Sequence, residues 1–140
     1  MSATDMTEAE ALARSFYEPL TTGDTGSVDA VLSPEWSADP ALHAGPGRDG
    51  WKTTVAFLRS VLENLTFTIE DVVVDGDRVA VRSVTRGTHV GELLGIPATG
   101  RQIEIRASDY HQVKGGRIVQ SWHLEDYYGV VQQLSAELGA

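Results

Sequence analysis

The sequence has no cysteine and few basic residues. Without thiols it can form no disulfide, thiolate nucleophile, iron–sulfur cluster or cysteine zinc site. Its 11 Lys and Arg stand against 20 Asp and Glu, which gives a formal net charge of -9 at pH 7. Because nucleic acids and anionic membrane surfaces bind basic faces, we expect neither as a partner.

Long apolar runs and a basic leader segment are also missing. No apolar stretch approaches the ~20 residues that span a bilayer, and the first residues, MSATDM, do not resemble a signal peptide. We therefore expect a soluble, cytoplasmic protein. The length of 140 residues predicts one domain, residues 1–140, and 41% hydrophobic residues are enough for a sizeable core.

The first half of the chain has helical periodicity. A capping-box pattern, Thr7 with Glu10, comes before apolar residues at helical spacing. The segment from Trp36 to Arg48 contains two prolines and two glycines and predicts a loop. The predicted helices cover residues 7–21, 28–32 and 49–64.

The second half alternates apolar and polar residues, as strands do. Turns at 75–77 and 114–116 divide it into two hairpins, and residues 91–100 form a long loop between them. A short helical tail with an apolar stripe at Val130, Val131, Leu134 and Leu138 ends the chain. The predicted strands cover residues 67–74, 78–90, 101–113 and 117–126. Helices followed by antiparallel strands predict an α+β fold, with a cavity between the helices and a curved sheet.

Alternation places polar groups on the inward face of the last two strands. Asp109 and His111 continue an otherwise apolar face, and Ser121, His123 and Glu125 share a face with Val119 on the next strand. Since a tight turn joins the strands, Asp109 should lie level with Ser121 or His123. Imidazole and carboxylate groups in an apolar pocket supply what proton transfer needs.

Other polar and aromatic residues leave alternatives open. Tyr17 is either a core aromatic or a phenol in the cavity, and His89 either faces the cavity mouth or serves in a turn. His43 should be exposed, while Tyr110 and Trp122, on the opposite face, favour packing or a subunit contact. Asp126, at a strand end, is a weaker candidate than Glu125 for the cavity carboxylate.

Three stretches carry a family resemblance: DGDRVAVR at 75–82, GTHVGELLGIPATG at 87–100 and GRIVQSWH at 116–123. They resemble the SnoaL-like polyketide cyclases, within the superfamily that includes nuclear transport factor 2 (NTF2) and ketosteroid isomerase, from about Ala11 to Leu134. The resemblance implies a cone-shaped NTF2-like fold whose curved sheet is antiparallel with a mixed edge. It also implies an enzyme without metal or organic cofactor that forms a homodimer or homotetramer through its sheet.

The resemblance also suggests site residues. In the family a carboxylate two residues after a strand histidine is the general acid/base, and another histidine lies on the preceding strand; His123, Glu125 and His111 match this pattern. Two features depart from it. Glu125 stands where the family usually has Asp, and no histidine follows the second helix near Ala38 or Asp39.

The favoured hypothesis is a cofactor-independent cyclase of secondary metabolism that closes a ring in a polyketide-like substrate by an intramolecular aldol reaction. Glu125 would be the base, and His123 and His111 would orient it or bind the enolate oxygen. The expected substrate-binding residues are Asp109, which would also hold an imidazole tautomer, Tyr17, Trp36 and His89.

Two enzyme alternatives and one binding alternative remain. Epoxide opening would suit the same pocket, although Arg106 and Asp109 lack the Arg-x-Asp spacing of limonene-type epoxide hydrolases, and isomerisation also fits. A metal triad of His111, His123 and Glu125 is geometrically allowed, but no other ligands support it. A non-catalytic small-molecule-binding or dimerisation domain would show no cavity, or would lock His123 and Glu125 in structural bonds.

Overall fold

The computed structural model describes residues 6–135, which form four helices and one five-stranded sheet. The helices and strands come in the order α1 (Glu8–Thr22), α2 (Val28–Val31), β1 (Leu32–Asp39), α3 (Gly47–Val61), β2 (Leu62–Asp75), β3 (Arg78–His89), β4 (Gln102–Lys114), β5 (Arg117–Glu125) and α4 (Tyr127–Ser135).

Helix α1 begins and ends as its sequence predicts. The Thr7 side chain accepts a hydrogen bond of 3.1 Å from the Glu10 N–H, as an N-cap residue does. Gly23 ends the helix with φ of 77°, a left-handed conformation that glycine adopts without strain, and its N–H donates to the Pro19 carbonyl. The apolar stripe of the helix is buried against the sheet.

The segment after α2 is a strand where we predicted a loop. Strand β1 runs from Leu32, which we had placed in the second helix, to Asp39, and it pairs in parallel with β5. It is an edge strand, and its pairing shifts between Leu32 and Ser37, around Pro34, which has no N–H to donate. No local pattern predicts this strand, because Pro34 lies within it and glycines and prolines follow it. Its partner strand lies more than 80 residues further along the chain.

The five strands form one mixed sheet in the order β1-β5-β4-β3-β2, in which only the β1–β5 pair is parallel. The prediction of about four antiparallel strands therefore missed β1. Helices α1 and α3 bury their apolar stripes against this sheet around one core, and α4 closes a second core with Val130 and Leu134. The α+β NTF2-like architecture is confirmed.

Three other boundaries and faces differ from the prediction. Helix α3 ends at Val61 and β2 begins at Leu62, so residues 62–66 are strand. Strand β5 contains a bulge at Val119, opposite Gln112 and Val113 of β4. Because of this bulge, Ile118 rather than Val119 faces the core. Of the predicted C-terminal stripe, Val131 is exposed and Leu138 lies outside the described residues.

The outer face of the sheet carries Tyr110 and Trp122, as alternation predicted. Their rings pack edge to face with centroids 5.5 Å apart, and Trp122 is 40% exposed. A subunit contact at this face stays a prediction. Within residues 6–135, the helices are all too short or too polar to cross a membrane.

Candidate active site

A cavity of about 740 Å³ lies between the helices and the inner face of the sheet. Most of its wall is apolar and aromatic, and Phe16 and Phe67 pack against the rings of His111 and Tyr17. The polar residues on the wall include Tyr17, Ser83, Asp109, His111, Ser121, His123 and Glu125. A pocket of this size and composition suits a small organic molecule.

Strand register brings the predicted residues together. Asp109 pairs with His123 and His111 pairs with Ser121 across β4 and β5. Asp109 therefore lies level with His123, as the turn position predicted. All four side chains lie on the cavity wall because the bulge in β5 falls before Ser121.

A chain of hydrogen bonds joins four of these side chains to the indole of Trp36. The Trp36 indole N–H donates to Ser121 Oγ over 3.0 Å. Ser121 Oγ is 2.7 Å from His111 Nδ1, and His111 Nε2 is 2.8 Å from the Tyr17 oxygen. The Tyr17 hydroxyl donates to Asp109 Oδ2 over 2.6 Å. The chain of hydrogen bonds thus runs from β1 through β5 and β4 to α1, and it ends at the Asp109 carboxylate on β4.

The direction of the chain fixes the tautomer of His111. Because the one Tyr17 proton goes to Asp109, the Tyr17 oxygen accepts from His111 Nε2–H. Burial lowers the pKa of His111 to about 3, so its ring is neutral and has a single N–H. His111 Nδ1 then accepts from the Ser121 hydroxyl, which leaves no ring nitrogen free. Both ring nitrogens of His111 thus have protein partners, and a catalytic role for this residue stays a prediction.

Asp109 is the carboxylate that keeps an uncommitted oxygen. Oδ2 accepts from Tyr17, while Oδ1 is buried without a hydrogen-bond partner among the described residues. Desolvation raises the pKa of Asp109 to about 6, although the Tyr17 hydrogen bond opposes the shift. Burial together with the Asp109 charge also keeps the pKa of Tyr17 well above its ordinary value, so Tyr17 stays a neutral donor.

Glu125 is instead paired with His123. Its two oxygens lie 2.9 and 3.0 Å from His123 Nδ1, and His123 Nε2 is 2.7 Å from the Pro40 carbonyl oxygen. The hydrogen bond to Glu125 raises the pKa of His123 to about 9, so the ring is an imidazolium at neutral pH. Both N–H groups of His123 donate to protein acceptors, Glu125 and the Pro40 carbonyl. The His123 charge lowers the pKa of the nearby Asp109.

The contacts of the two carboxylates differ from each other. From the sequence we expect Glu125 to be a base that His123 or His111 can orient, and Asp109 to hold an imidazole tautomer. The structure shows Glu125 holding His123, and Asp109 bonded only to a phenol. The reason is Tyr17, which enters from α1 and reaches Asp109 and His111 but not Glu125.

His89 lies apart from the cavity wall. Its side chain is fully buried at the end of β3, and Nδ1 is 2.9 Å from the Thr99 hydroxyl. The backbone of His89 also bonds to Gly100 and Arg101, so the residue ties the two ends of the loop that follows β3. Its placement at the cavity mouth is therefore wrong, and the turn alternative describes it.

The remaining candidates fall outside the site or at its edge. His43 is exposed, as expected, at the cavity mouth. Asp126 caps α4 by accepting from the Gly129 N–H, and Arg106 is exposed. Between residues 6 and 135 no three His, Asp or Glu side chains cluster as metal ligands would.

Ser83 and Tyr127 are two polar residues of the cavity wall that the sequence analysis did not identify as candidates. Ser83 lies on β3 among inward-facing valines, and its position in the alternation could have identified it. Tyr127 begins α4 and lines the cavity, where burial raises the pKa of its phenol to about 12. No local pattern marked Tyr127, because it follows the last strand.

A helix-covered mixed sheet that encloses an apolar cavity with acid/base groups on one wall defines the NTF2-like class of folds. The family model for the SnoaL-like polyketide cyclases matches residues 11–134. The chain therefore belongs to the SnoaL-like polyketide cyclase family.

Individual relatives agree with this assignment. The chain is 28% identical over 128 residues to the aklanonic acid methyl ester cyclase DnrD of Streptomyces peucetius, which covers 88% of each protein. The structure of TsrD from Streptomyces laurentii matches with a TM-score of 0.85 and 31% identity, over 94% of this chain and 98% of that one. IdmH from Streptomyces antibioticus matches with a TM-score of 0.75 and 30% identity, over 96% and 100%.

Proposed function

We propose that this protein closes a carbon ring in a polyketide-like substrate by an intramolecular aldol reaction, with Asp109 as the base and no cofactor. The observation that carries the proposal is the environment of Asp109. It is a carboxylate on an apolar cavity wall, with a pKa of about 6 and one oxygen not bonded to protein. A base with a pKa near the working pH is the most effective one.

The reaction begins with transfer of a proton from a carbon between two carbonyl groups to Asp109, which leaves an enolate. The enolate carbon attacks a ketone carbon of the same molecule and forms the ring bond. The alkoxide that results takes the proton back from Asp109, so the carboxylate is regenerated. The product is a cyclic β-hydroxy carbonyl compound.

The neighbouring groups support these steps in different ways. Tyr17, held by His111, keeps Asp109 oriented. The imidazolium of His123 lies level with Asp109, and its charge opposes the rise that the Glu125 charge causes in the pKa of Asp109. This arrangement gives Glu125 the role of orienting His123.

Exchange of substrate C–H for deuterium tests the proposal without requiring the natural substrate. A 2-alkyl acetoacetate ester is incubated in D₂O with wild type, Asp109→Asn or Glu125→Gln, and exchange is followed by proton NMR. We expect Asp109→Asn to lower the rate about 10²- to 10⁴-fold, because the base is lost. Glu125→Gln should lower it by less than about tenfold, since the base remains. The wild-type rate should rise as pH increases through about 6, where Asp109 loses its proton.

Two outcomes would contradict the proposal. Wild type that exchanges no faster than buffer would remove C–H deprotonation of 1,3-dicarbonyl compounds as the activity. A larger loss in Glu125→Gln than in Asp109→Asn would return the role of base to Glu125.

A further inference from the structure

Ser83 is a buried residue on the cavity wall whose hydroxyl is unpaired. Its side chain is 1% exposed, and Oγ has no hydrogen-bond partner among the described residues. Leaving a buried hydroxyl unpaired is unfavourable, so native structures seldom do so without a functional reason. Among the fully buried side-chain oxygens within residues 6–135, the only other one without a partner is Asp109 Oδ1, also on the cavity wall.

The two unpaired oxygens belong to diagonal neighbours on adjacent strands. Val81 pairs with Asp109 and Ser83 pairs with Ala107, so Ser83 and Asp109 are one diagonal step apart on the same face. Diagonal neighbours are about 7–8 Å apart between Cα atoms, which is close enough for one small molecule to contact both. The intervening position on β4 is Ala107, whose methyl group leaves room for such a molecule.

Two groups close to Asp109, His123 and Tyr17, have already committed their protons. Both N–H groups of His123 point to Glu125 and Pro40, and the Tyr17 hydroxyl donates to Asp109. An enolate oxygen formed beside Asp109 therefore cannot be bound by these groups without breaking their bonds. A separate donor within reach is needed, and Ser83 meets that requirement.

We infer that Ser83 is a catalytic residue that donates a hydrogen bond to the carbonyl oxygen next to the carbon that Asp109 deprotonates. This inference rests on the proposed function. The base lies ~3 Å from the carbon, the carbonyl oxygen lies ~2.4 Å from that carbon, and the hydrogen bond adds ~2.8 Å. When extended, this arrangement spans up to ~8 Å between the two side-chain oxygens, which is of the same order as the Cα separation of diagonal neighbours. It selects substrates whose acidic carbon carries a carbonyl oxygen on the β3 side of Asp109.

Kinetics of deuterium exchange into the 2-alkyl acetoacetate ester test the inference. Ser83→Ala should lower kcat for exchange about 10- to 100-fold with KM changed by less than about threefold, because the oxygen becomes an anion only as the proton leaves. Ser83→Thr, which keeps a hydroxyl, should recover most of the rate, and Ser83→Cys should fall in between. Ser108→Ala makes the same change at an exposed position on the opposite face of β4; it is the matched control and should keep the wild-type kcat.

Binding of a stable enolate separates this inference from the proposed function. The anion of dimedone, a cyclic 1,3-diketone, is titrated calorimetrically into Asp109→Asn, whose amide resembles the protonated base, and into Asp109→Asn/Ser83→Ala. We expect at least tenfold weaker binding to the double variant. If wild type shows no exchange but this loss is seen, the oxyanion contact stands and the proposed function fails.

The opposite results would overturn the inference. Equal binding by the single and double variants, or a Ser83→Ala kcat equal to that of wild type, would show that Ser83 does not contact the enolate oxygen. Equal losses in Ser83→Ala and Ser108→Ala would show that the loss of any serine hydroxyl from this sheet disturbs the site. Neither result would alter the role of Asp109 if Asp109→Asn is inactive.

Discussion

Asp109 and Glu125 carry the same chemical group, but their neighbours give them different chemistry. Both oxygens of Glu125 lie within hydrogen-bond distance of the His123 ring, so this carboxylate is already engaged with a cation. Asp109 has a neutral phenol as its hydrogen-bond donor and sits in an apolar wall, which raises its pKa to about 6. The difference between the two follows from their partners rather than from the side chains.

The pairing of His123 with Glu125 leads to a prediction at this scale. Glu125→Gln should lower the pKa of His123 from about 9 toward its ordinary value of about 6.5, because the Glu125 hydrogen bond is the largest cause of the shift. Stability that this pair supplies is complete below pH 6.5 and is lost as pH rises through 9. The measurement is an NMR titration of the His123 ring protons in both proteins.

His111 serves as the internal control for that titration. Its pKa is held low by burial and should not move in Glu125→Gln, because both of its ring nitrogens bond elsewhere. A His123 that titrates alike in both proteins would show that the pair does not exist in solution.

At the scale of elements, the site depends on segments that come from distant parts of the chain. Helix α1 supplies Tyr17, the edge strand β1 supplies Trp36, and the residue after it supplies the Pro40 carbonyl. Strands β4 and β5 supply the groups that these three hold. Displacing the segment after β1 should therefore affect the cavity as well as the stability.

Gly50, in the second turn of α3, tests this dependence. An exposed glycine in a helix usually gains about 1 kcal/mol when replaced by alanine. Here the added Cβ would lie 1.8 Å from the Gly45 carbonyl oxygen, a backbone atom that cannot move without shifting residues 41–44 at the cavity mouth. We expect Gly50→Ala to lose about 2–3 kcal/mol of unfolding free energy, measured by urea denaturation.

Gly26→Ala provides a comparison with a flexible neighbour. Its Cβ would meet only the end of the exposed Asp24 side chain, so the cost should be under about 1 kcal/mol. A Gly50→Ala protein as stable as wild type would mean that the segment before α3 adjusts freely.

At the scale of the whole molecule, the base that we propose reduces folding stability. A carboxyl group whose pKa is higher in the folded state than in the unfolded chain binds more protons when folded, so its contribution to stability falls as pH rises. For Asp109 this fall runs from about pH 4 to about pH 6 and is complete at pH 7. The ionised form of Asp109, which the proposed function requires, is therefore also the form that lowers the stability of the folded protein.

Asp109→Asn should accordingly be more stable than wild type at pH 7, by about 1–2 kcal/mol, and nearly equal to it at pH 4. The amide can still accept the Tyr17 hydrogen bond and carries no charge to desolvate. Urea denaturation of both proteins at the two pH values gives the comparison, because the other ionisable groups are common to both. A variant less stable at pH 7 would mean that the Asp109 charge is compensated in the folded protein.

Much of the fold and part of the site follow from the sequence by itself. The periodicities of 3.6 and 2 place α1, α3 and the two hairpins, because burial of apolar side chains selects one face of each element. The same alternation puts Asp109 and His111 on one face of β4 and His123 and Glu125 on one face of β5, although the register between these strands depends on the bulge in β5. Family membership also follows from stretches within these elements.

The tertiary structure alone decided which groups these residues contact. Strand β1 exists because it pairs with β5, and the bulge in β5 sets which of its residues face inward; neither depends on local pattern. Tyr17 and Trp36 approach the wall from elements far away in sequence, and they bond to Asp109 and Ser121, respectively. Sequence determines which chemical groups are present and which way they face, but pKa and hydrogen-bond direction depend on the side chains that folding brings within about 3 Å.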